Sequence, residues 1–194
     1  MHHSDSAIVT TVDTLAKLLD VCGELRASEQ VDERAVTGCS FDSRAVSAGD
    51  VFFCKGAAFK PAFLRMALDA GAVAFVCEES LVESLEPLAQ ESGAAMLVVD
   101  SVRTAMALLP PEVYDRPDRD VKIVGITGTK GKTTAAFMLQ SIIKAAGESC
   151  GMIGSVSTDD GIECYESTNT TPEAPEVWRH IANCRTSGRQ SMVM

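Results

Sequence analysis

A short run of glycines, lysines and threonines is the part of the sequence best suited to chemistry. Residues 127–134 read T-G-T-K-G-K-T-T, with the apolar stretch 121–126 before them and a helical pattern from 133 to 147 after them. Glycines let the backbone make turns that a Cβ resists, so successive amide groups point into one concavity. The following helix adds the positive end of its dipole. This arrangement is typical of a loop that binds phosphate.

The residue types in the loop indicate a triphosphate with its metal ion. Lys132 can reach the outer phosphates as a point charge and is the candidate catalytic residue, and the Thr133 hydroxyl is placed to bind Mg²⁺. The common pattern G-x-x-x-x-G-K-[ST] is not met, because Ile126 stands where its first glycine belongs. A glycine-rich turn with a surface lysine is the alternative interpretation. The predicted ATP contacts are Gly128, Thr129, Lys130, Gly131, Lys132, Thr133 and Thr134.

Strands and helices alternate along the chain that precedes this loop. A helix is predicted at 13–22 from its apolar spacing, and buried strands at 50–54, 72–77 and 94–100. Helices are predicted between and after these strands, at 61–71, 80–93 and 101–109. This rhythm predicts an α/β fold, with a mostly parallel sheet and helices on its faces.

Residues 110–120, P-P-E-V-Y-D-R-P-D-R-D, are rich in proline and charge and are the predicted linker. We therefore expect one α/β domain over residues 1–117 and the start of a second over 118–194. In the second, Asp160-Gly161 predicts a hairpin turn, and a helix is expected from Pro172 to Ser187 with Thr171 as its N-cap. The chain stops within another apparent strand, so we expect it to be truncated.

Composition excludes several functional classes. The formal charge of −10 argues against general nucleic-acid binding, which needs a basic surface. No apolar stretch reaches the length of a membrane helix, and the N-terminus does not have the pattern of a secretory signal. Seven cysteines without C-x-x-C spacing indicate reduced thiols rather than a disulfide framework or a zinc site. We expect a cytoplasmic monomer that acts on small molecules and has no nucleic-acid or membrane partner.

The segment G-I-T-G-T-K-G-K-T-T (125–134) resembles the ATP loop of the Mur ligases and of their folylpolyglutamate synthetase relatives. That family usually carries Asn at the position of Lys130. The substitution keeps the phosphate cradle and adds a positive charge beside the anion. The resemblance implies an α/β nucleotide-sugar domain, followed by the start of a P-loop-type α/β central domain.

Residues 41–53, F-D-S-R-A-V-S-A-G-D-V-F-F, resemble the D-S-R-x-V-x-x-G-D-x-F element of the N-terminal domain in MurE and MurF ligases. By this resemblance Phe41 and Ser43 contact the uridine part of the substrate. A phenyl ring can pack against a base, and a hydroxyl can bind the edge of uracil. For Asp42 and Arg44 we favour a local role, as a capped turn closed by their own ion pair.

The segment S-T-N-T-T-P-E (167–173) resembles the N-T-T-P segment of MurE ligases, which contacts the muramoyl-dipeptide. Asn169, Thr170 and Thr171 would then offer one amide and two hydroxyls at the N-terminus of a helix. Simple N-capping by Thr171 is the alternative. MurF ligases have a different segment here, so this motif favours the MurE type.

The resemblance implies ATP-dependent amide formation in peptidoglycan synthesis. ATP phosphorylates the D-glutamyl γ-carboxylate of UDP-N-acetylmuramoyl-L-alanyl-D-glutamate, and the amine of a diamino acid then displaces the phosphate. Three alternatives stay open: a MurF-type ligase, a folylpolyglutamate-type ligase, and a P-loop nucleotide-binding module without ligase activity. We expect the 194-residue chain alone to be inactive as a ligase.

Overall fold

A computed structural model describes residues 24–26, 35–167 and 171–194. The helix predicted at 13–22 lies outside these residues. The chain divides into two compact units, residues 1–115 and 116–194. None of the helices in the described ranges is long and apolar enough to cross a lipid bilayer.

The first unit contains a five-stranded sheet. Its strands are β1 (Glu24–Arg26), β2 (Gly38–Ser40), β3 (Asp50–Phe53), β4 (Ala74–Glu78) and β5 (Ala95–Val99). They lie in the order β1-β5-β4-β3-β2, with β2 to β5 parallel and β1 antiparallel beside β5. The predicted parallel α/β architecture is confirmed for this unit, while β1 and β2 were not predicted.

Helices pack against the sheet of the first unit and bury its apolar strands. They are α1 (Pro61–Asp69), α2 (Val82–Ser92) and α3 (Val102–Val113). One core cluster joins Phe52, Phe75 and Met96 of the sheet to Leu64 of α1 and Leu85 of α2. The residues next to these in the strands point to the other face and are also buried, and α3 contacts β2 and β4. Burial on both faces explains why these strands read as continuous apolar runs.

The first part of the predicted linker, residues 110–113, is helical in the structure. Helix α3 continues through Pro110 and Pro111 to Val113, and all three residues are buried. The two prolines lie in the last turn of the helix, and their apolar rings pack in the core. A short 3₁₀ turn follows at Pro117–Arg119. Asp115 and Arg116, which flank the boundary between the two units, both have left-handed backbone angles.

The second unit contains another five-stranded sheet. Its strands are β6 (Lys122–Val124), β7 (Cys150–Ile153), β8 (Ser157–Asp159), β9 (Cys164–Glu166) and β10 (Ser191–Val193). Their order is β6-β10-β7-β8-β9. β10 runs parallel to both β6 and β7, and β8 and β9 form the antiparallel hairpin predicted around Asp160-Gly161.

Two helices cover this second sheet, α4 (Lys132–Ala145) and α5 (Ala174–Thr186). Cys150, Met152 and Val193 cluster with Ala136 of α4, whereas Ile153 and Met192 cluster with Ile181 and Cys184 of α5. Alternate residues of β7 and β10 therefore belong to two separate cores. The unit is thus a layer of sheet between two helices.

The start of α5 corrects the predicted N-cap. The N-cap is Glu173 rather than Thr171, and Glu173 forms a reciprocal capping box with Glu176. The Glu173 amide donates to Glu176 Oε2 at 3.2 Å. Two bonds between side chain and backbone satisfy two helix-end donors, so this start outcompetes the single cap that a threonine offers.

Gly151 in β7 provides a test of how closely α5 packs on the sheet. A methyl group at this position would meet Cys184 Sγ and would lie 3.1 Å from the Asp159 carbonyl oxygen. We expect Gly151→Ala to lower the free energy of unfolding in urea by about 1–3 kcal/mol, the usual cost of overpacking.

Cys184→Ala is the matched background for this measurement, because it removes the sulfur that the new methyl group meets. In that background Gly151→Ala should cost clearly less. An equal cost with and without the sulfur would show that the contact between Gly151 and Cys184 does not limit packing.

Candidate functional site

The predicted phosphate loop is an irregular connection between a strand and a helix. β6 ends at Val124 and α4 begins at Lys132, so residues 125–131 connect them. Gly131 is the residue before the helix and has φ 79° and ψ −2°, a left-handed conformation that favours glycine. Residues 127–131 are exposed. This segment therefore forms the connection between strand and helix that its glycines predict.

The main-chain amides of this corner have no acceptor in the part of the chain that the structure describes. No described residue accepts a hydrogen bond from the amides of residues 128–134. The first amides of a helix have no partner inside the helix, and together with the preceding loop they form a group of donors suited to an anion. The amides of Ile126 and Ala135, on either side, do bind carbonyl oxygens, of Met194 and Gly131 respectively.

Two side chains in the first turn of α4 are held in defined positions. Lys132 Nζ donates to the Gly128 carbonyl oxygen at 2.7 Å, so the ammonium folds back onto the loop. The Thr133 hydroxyl lies 2.7 Å from the hydroxyl of Ser155. Ser155 follows the end of β7, a strand parallel to β10 in the same sheet. The sequence analysis did not select Ser155, because its position depends on which strands are neighbours.

In the first unit, a pocket of about 420 Å³ lies beside the F-D-S-R turn. Phe41 and Ser43 both line it, so the structure brings the two predicted uridine contacts to one cavity. An apolar wall and a polar rim are also present: Phe52, Phe59, Phe63 and Met66 form the wall, and Asp42, Arg44 and Lys55 contribute to the rim. Lys55 was not selected from the sequence.

Asp42 and Arg44 form the local pair that the sequence favours. Arg44 Nε donates to Asp42 Oδ1 at 2.9 Å, and Nη2 donates to Oδ2 at 2.6 Å. The Arg44 amide also donates to Oδ1, at 3.0 Å. The guanidinium and amide hydrogen bonds lower the pKa of Asp42 to about 2, so the carboxyl stays charged at neutral pH. The pair closes the turn and fixes the backbone beside Ser43.

The third predicted contact group is Asn169, Thr170 and Thr171, and the structure describes only the last of these residues. Thr171 is exposed and precedes α5, whereas Asn169 and Thr170 lie outside the described residues.

A buried polar network joins the β8–β9 hairpin to α5. Asp160 and His180 are fully buried, and Asp160 Oδ2 lies 2.6 Å from His180 Nδ1. Asn183 Nδ2 donates to the same oxygen at 2.8 Å, and His180 Nε2 lies 3.0 Å from the hydroxyl of Tyr165. Asp160 Oδ1 accepts from the amides of two hairpin residues, Ile162 at 2.9 Å and Glu163 at 2.7 Å.

This network has the composition of a metal site but not the chemistry of one. Ligand atoms of Asp160, Glu163 and His180 lie within 4.8 Å of one another. Both oxygens of Asp160 already accept hydrogen bonds, however, and Glu163 forms an ion pair with Arg179. A cation would have to displace these partners and would meet the Arg179 guanidinium nearby. The network therefore has a structural role: its hydrogen bonds join the hairpin to α5.

Comparison with known proteins bears on both units. The family profile of the Mur ligase middle domain matches residues 126–194. The chain is 38% identical over 159 residues to the UDP-N-acetylmuramyl-tripeptide synthetase of Lactobacillus delbrueckii subsp. bulgaricus, which covers 80% of this chain and 30% of the relative. It is 36% identical over 172 residues to the UDP-N-acetylmuramoyl-L-alanyl-D-glutamate--L-lysine ligase of Enterococcus faecalis, covering 88% and 32%.

The chain belongs to the Mur ligase family. Its similarity to tripeptide synthetases and lysine ligases confirms the predicted MurE type. The match to the middle domain begins at Ile126, within the phosphate loop, and continues to the last residue. The chain spans about a third of the length of these curated relatives.

Solved Mur ligases share the fold of this chain. A UDP-N-acetylmuramoyl-L-alanyl-D-glutamate--2,6-diaminopimelate ligase superposes with a TM-score of 0.66 at 17% identity, covering 96% of this chain and 36% of that one. A MurF from Acinetobacter baumannii gives 0.61 at 21% identity, covering 96% and 35%. The two types of ligase are about equally similar in fold, so the sequence relatives rather than the fold distinguish them.

The Asp160 network generates a prediction about pH. Burial alone would raise the pKa of Asp160, but hydrogen bonds from His180, Asn183 and the Glu163 and Ile162 amides outweigh burial and lower it to about 2. A carboxyl whose pKa is lower in the folded state stabilises the fold above its unfolded pKa, here 3.8, and loses that contribution as the pH falls. We expect Asp160→Asn to be less stable than wild type at pH 7 by roughly 2 kcal/mol, with the difference vanishing between pH 4 and pH 2.

Urea unfolding across this pH range measures the effect, and Glu166→Gln is the control. Glu166 is an exposed carboxyl on the same hairpin, so its variant should follow the wild-type pH dependence. A difference between Asp160→Asn and wild type that stays constant from pH 7 to pH 2 would contradict this account of the network.

Proposed function

We propose that this chain provides two nucleotide sites of a MurE-type ligase. Residues 1–117 form the domain that binds the uridine end of UDP-N-acetylmuramoyl-L-alanyl-D-glutamate, and residues 118–194 begin the domain that binds ATP. The whole enzyme joins a diamino acid to the D-glutamyl carboxylate at the expense of ATP. The observation that carries this proposal is the group of seven amides at residues 128–134 that bind no described acceptor.

The ATP site rests on positive charge at the corner between β6 and α4. An overall charge of −10 disfavours a polyphosphate, so local groups must attract it. Lys130, exposed in the loop, and Lys132 supply two cations beside the amide donors. Lys132 would exchange the Gly128 carbonyl for a β- or γ-phosphate oxygen and stabilise the charge on the transferred phosphoryl group. A relative in fold, the MurF ligase of Thermotoga maritima, was solved in complex with ADP.

The Thr133 hydroxyl suits a magnesium ion that accompanies the nucleotide. Mg²⁺ prefers oxygen ligands and usually keeps several waters, so one protein hydroxyl beside the phosphates is a sufficient anchor. Ser155 lies at hydrogen-bond distance from Thr133 Oγ1 and fixes the orientation of that hydroxyl. The metal supplies charge neutralisation when bound.

The uridine site rests on the pocket beside the F-D-S-R turn. Its volume of about 420 Å³ is in the range of small-molecule sites, and its apolar wall with a few polar groups has the composition of such sites. Phe41 offers a face for the base, and Ser43 offers a hydroxyl for the uracil edge. At the other end of the substrate, Asn169, Thr170 and Thr171 would contact the dipeptide. The amino acid that is added stays unassigned.

Titration of the chain with UDP and, separately, with Mg·ATP tests both sites. We expect both nucleotides to bind wild-type protein. Lys132→Ala should weaken Mg·ATP by roughly 10- to 100-fold, because it removes a charge-assisted contact, and should leave UDP unchanged. Ser43→Ala should weaken UDP by roughly 3- to 10-fold and leave Mg·ATP unchanged.

Lys144→Ala is the matched control, since Lys144 is exposed near the far end of the same helix. It lies twelve residues from Lys132, about 18 Å along α4 at 1.5 Å per residue, so its loss should have little effect on Mg·ATP. Binding of Mg·ATP without any binding of UDP would favour a plain nucleotide-binding module. Equal affinities of wild type and Lys132→Ala for Mg·ATP would overturn the ATP site.

A further inference from the structure

The hydroxyl pair of Thr133 and Ser155 joins the start of α4 to the turn between β7 and β8. The two oxygens lie 2.7 Å apart, and both side chains are half-buried. The core below the pair fixes this distance, because Ala136 of α4 and Met152 of β7 belong to one buried cluster. Ala136 follows Thr133 by three residues and lies on the same side of the helix. The two hydroxyls therefore cannot separate unless that cluster opens.

Backbone hydrogen bonds hold the turn that carries Ser155. The Gly154 amide donates to the Ser157 carbonyl oxygen at 3.1 Å, which closes the turn between the two strands. On the far side of Ser155, the Val156 carbonyl oxygen accepts from the Ser167 amide at 3.0 Å, directly after β9. Ser155 therefore presents its hydroxyl to α4 from a backbone that is held on both sides.

The direction of this hydrogen bond decides what Thr133 can offer to a ligand, because a hydroxyl has one proton and two lone pairs. If Ser155 donates, one lone pair of Thr133 is occupied and the Thr133 proton points elsewhere. If Thr133 donates, its proton is satisfied and both of its lone pairs stay available. A cation repels the proton and attracts a lone pair, so a metal at Thr133 favours the second direction. Among the described residues, Ser155 is the hydrogen-bond partner that the structure gives to the Thr133 hydroxyl.

We propose that Ser155 is a positioning residue of the ATP site: it accepts the Thr133 proton and thereby determines how much Mg²⁺ adds to nucleotide affinity. The proposal rests on the magnesium role of Thr133 proposed above. It adds a residue from outside the phosphate loop, on which that role depends. Ser155 itself needs no contact with the phosphates or the metal. The competing explanation is a purely structural bond, which would hold α4 against the turn whether or not a metal is bound.

The affinity for ATP, measured with Mg²⁺ and with EDTA, tests this role, and the ratio of the two affinities is the Mg²⁺ enhancement. Ser155→Ala removes the acceptor, so we expect the enhancement to fall roughly 3- to 10-fold while the affinity in EDTA stays within about twofold. Ser155→Thr keeps the hydroxyl and should keep the enhancement within about twofold of wild type. In a Thr133→Val background, Ser155→Ala should have no further effect, because the hydroxyl that Ser155 orients is gone.

Ser157→Ala is the matched control, because Ser157 closes the same turn and the hydroxyl bonded to Thr133 is that of Ser155. It should keep both affinities at the wild-type level. A full Mg²⁺ enhancement in Ser155→Ala would overturn the proposal and leave the ATP site intact. An equal loss with Mg²⁺ and with EDTA would also overturn it, since Ser155 would then only hold α4 in place. If wild type binds ATP without any Mg²⁺ enhancement, the metal role of Thr133 fails, and this role of Ser155 fails with it. If wild type binds no ATP at all, the ATP site itself fails.

Discussion

Parallel strand pairing is the constraint on which both candidate sites depend. Strands that run in the same direction end at the same edge of their sheet, and the segments that follow them become neighbours. In the first unit this constraint brings Phe41, after β2, beside Lys55, after β3. In the second it brings Thr133, in the first turn after the β6 loop, beside Ser155, after β7. Each site therefore combines residues more than ten positions apart, although each begins from one recognisable motif.

Because the chain is acidic, anion binding depends on the positions of a few cationic side chains rather than on their number. Arg44 is matched by Asp42, and Lys132 is folded onto the Gly128 carbonyl. Lys132 is therefore held by the loop proposed to bind the anion, so little of its side-chain entropy remains to be lost when a ligand arrives, whereas Arg44 stabilises the turn beside Ser43. The backbone amides of the phosphate loop add hydrogen-bond donors that carry no net charge. Salt therefore does not screen them as it screens a long-range electrostatic field. In both candidate sites, a segment that follows a strand therefore carries the groups that we propose to bind the ligand.

Much of this arrangement follows from the sequence, and the exceptions have physical reasons. The loop around Gly128 and Gly131, the Asp160-Gly161 hairpin and the parallel α/β pattern are local signals and are confirmed by the structure. Lys55, Ser155 and the bond between Asp160 and His180 were missed, because each depends on which strands and helices become neighbours. The predictions at Pro110 and Thr171 were wrong for another reason. The buried rings of the prolines extend α3, and a capping box at Glu173 replaces the expected cap at Thr171. Propensity identifies a helix end, but packing and reciprocal bonds decide between nearby candidates.

The central claim is that the amides of residues 128–134 bind the phosphates of a nucleotide. Amide hydrogen exchange, read residue by residue with and without saturating Mg·ADP, tests it most directly. The account predicts slower exchange at these amides on addition of the nucleotide, with no change at the β8–β9 hairpin. Exchange at residues 128–134 that is the same with and without Mg·ADP would contradict it.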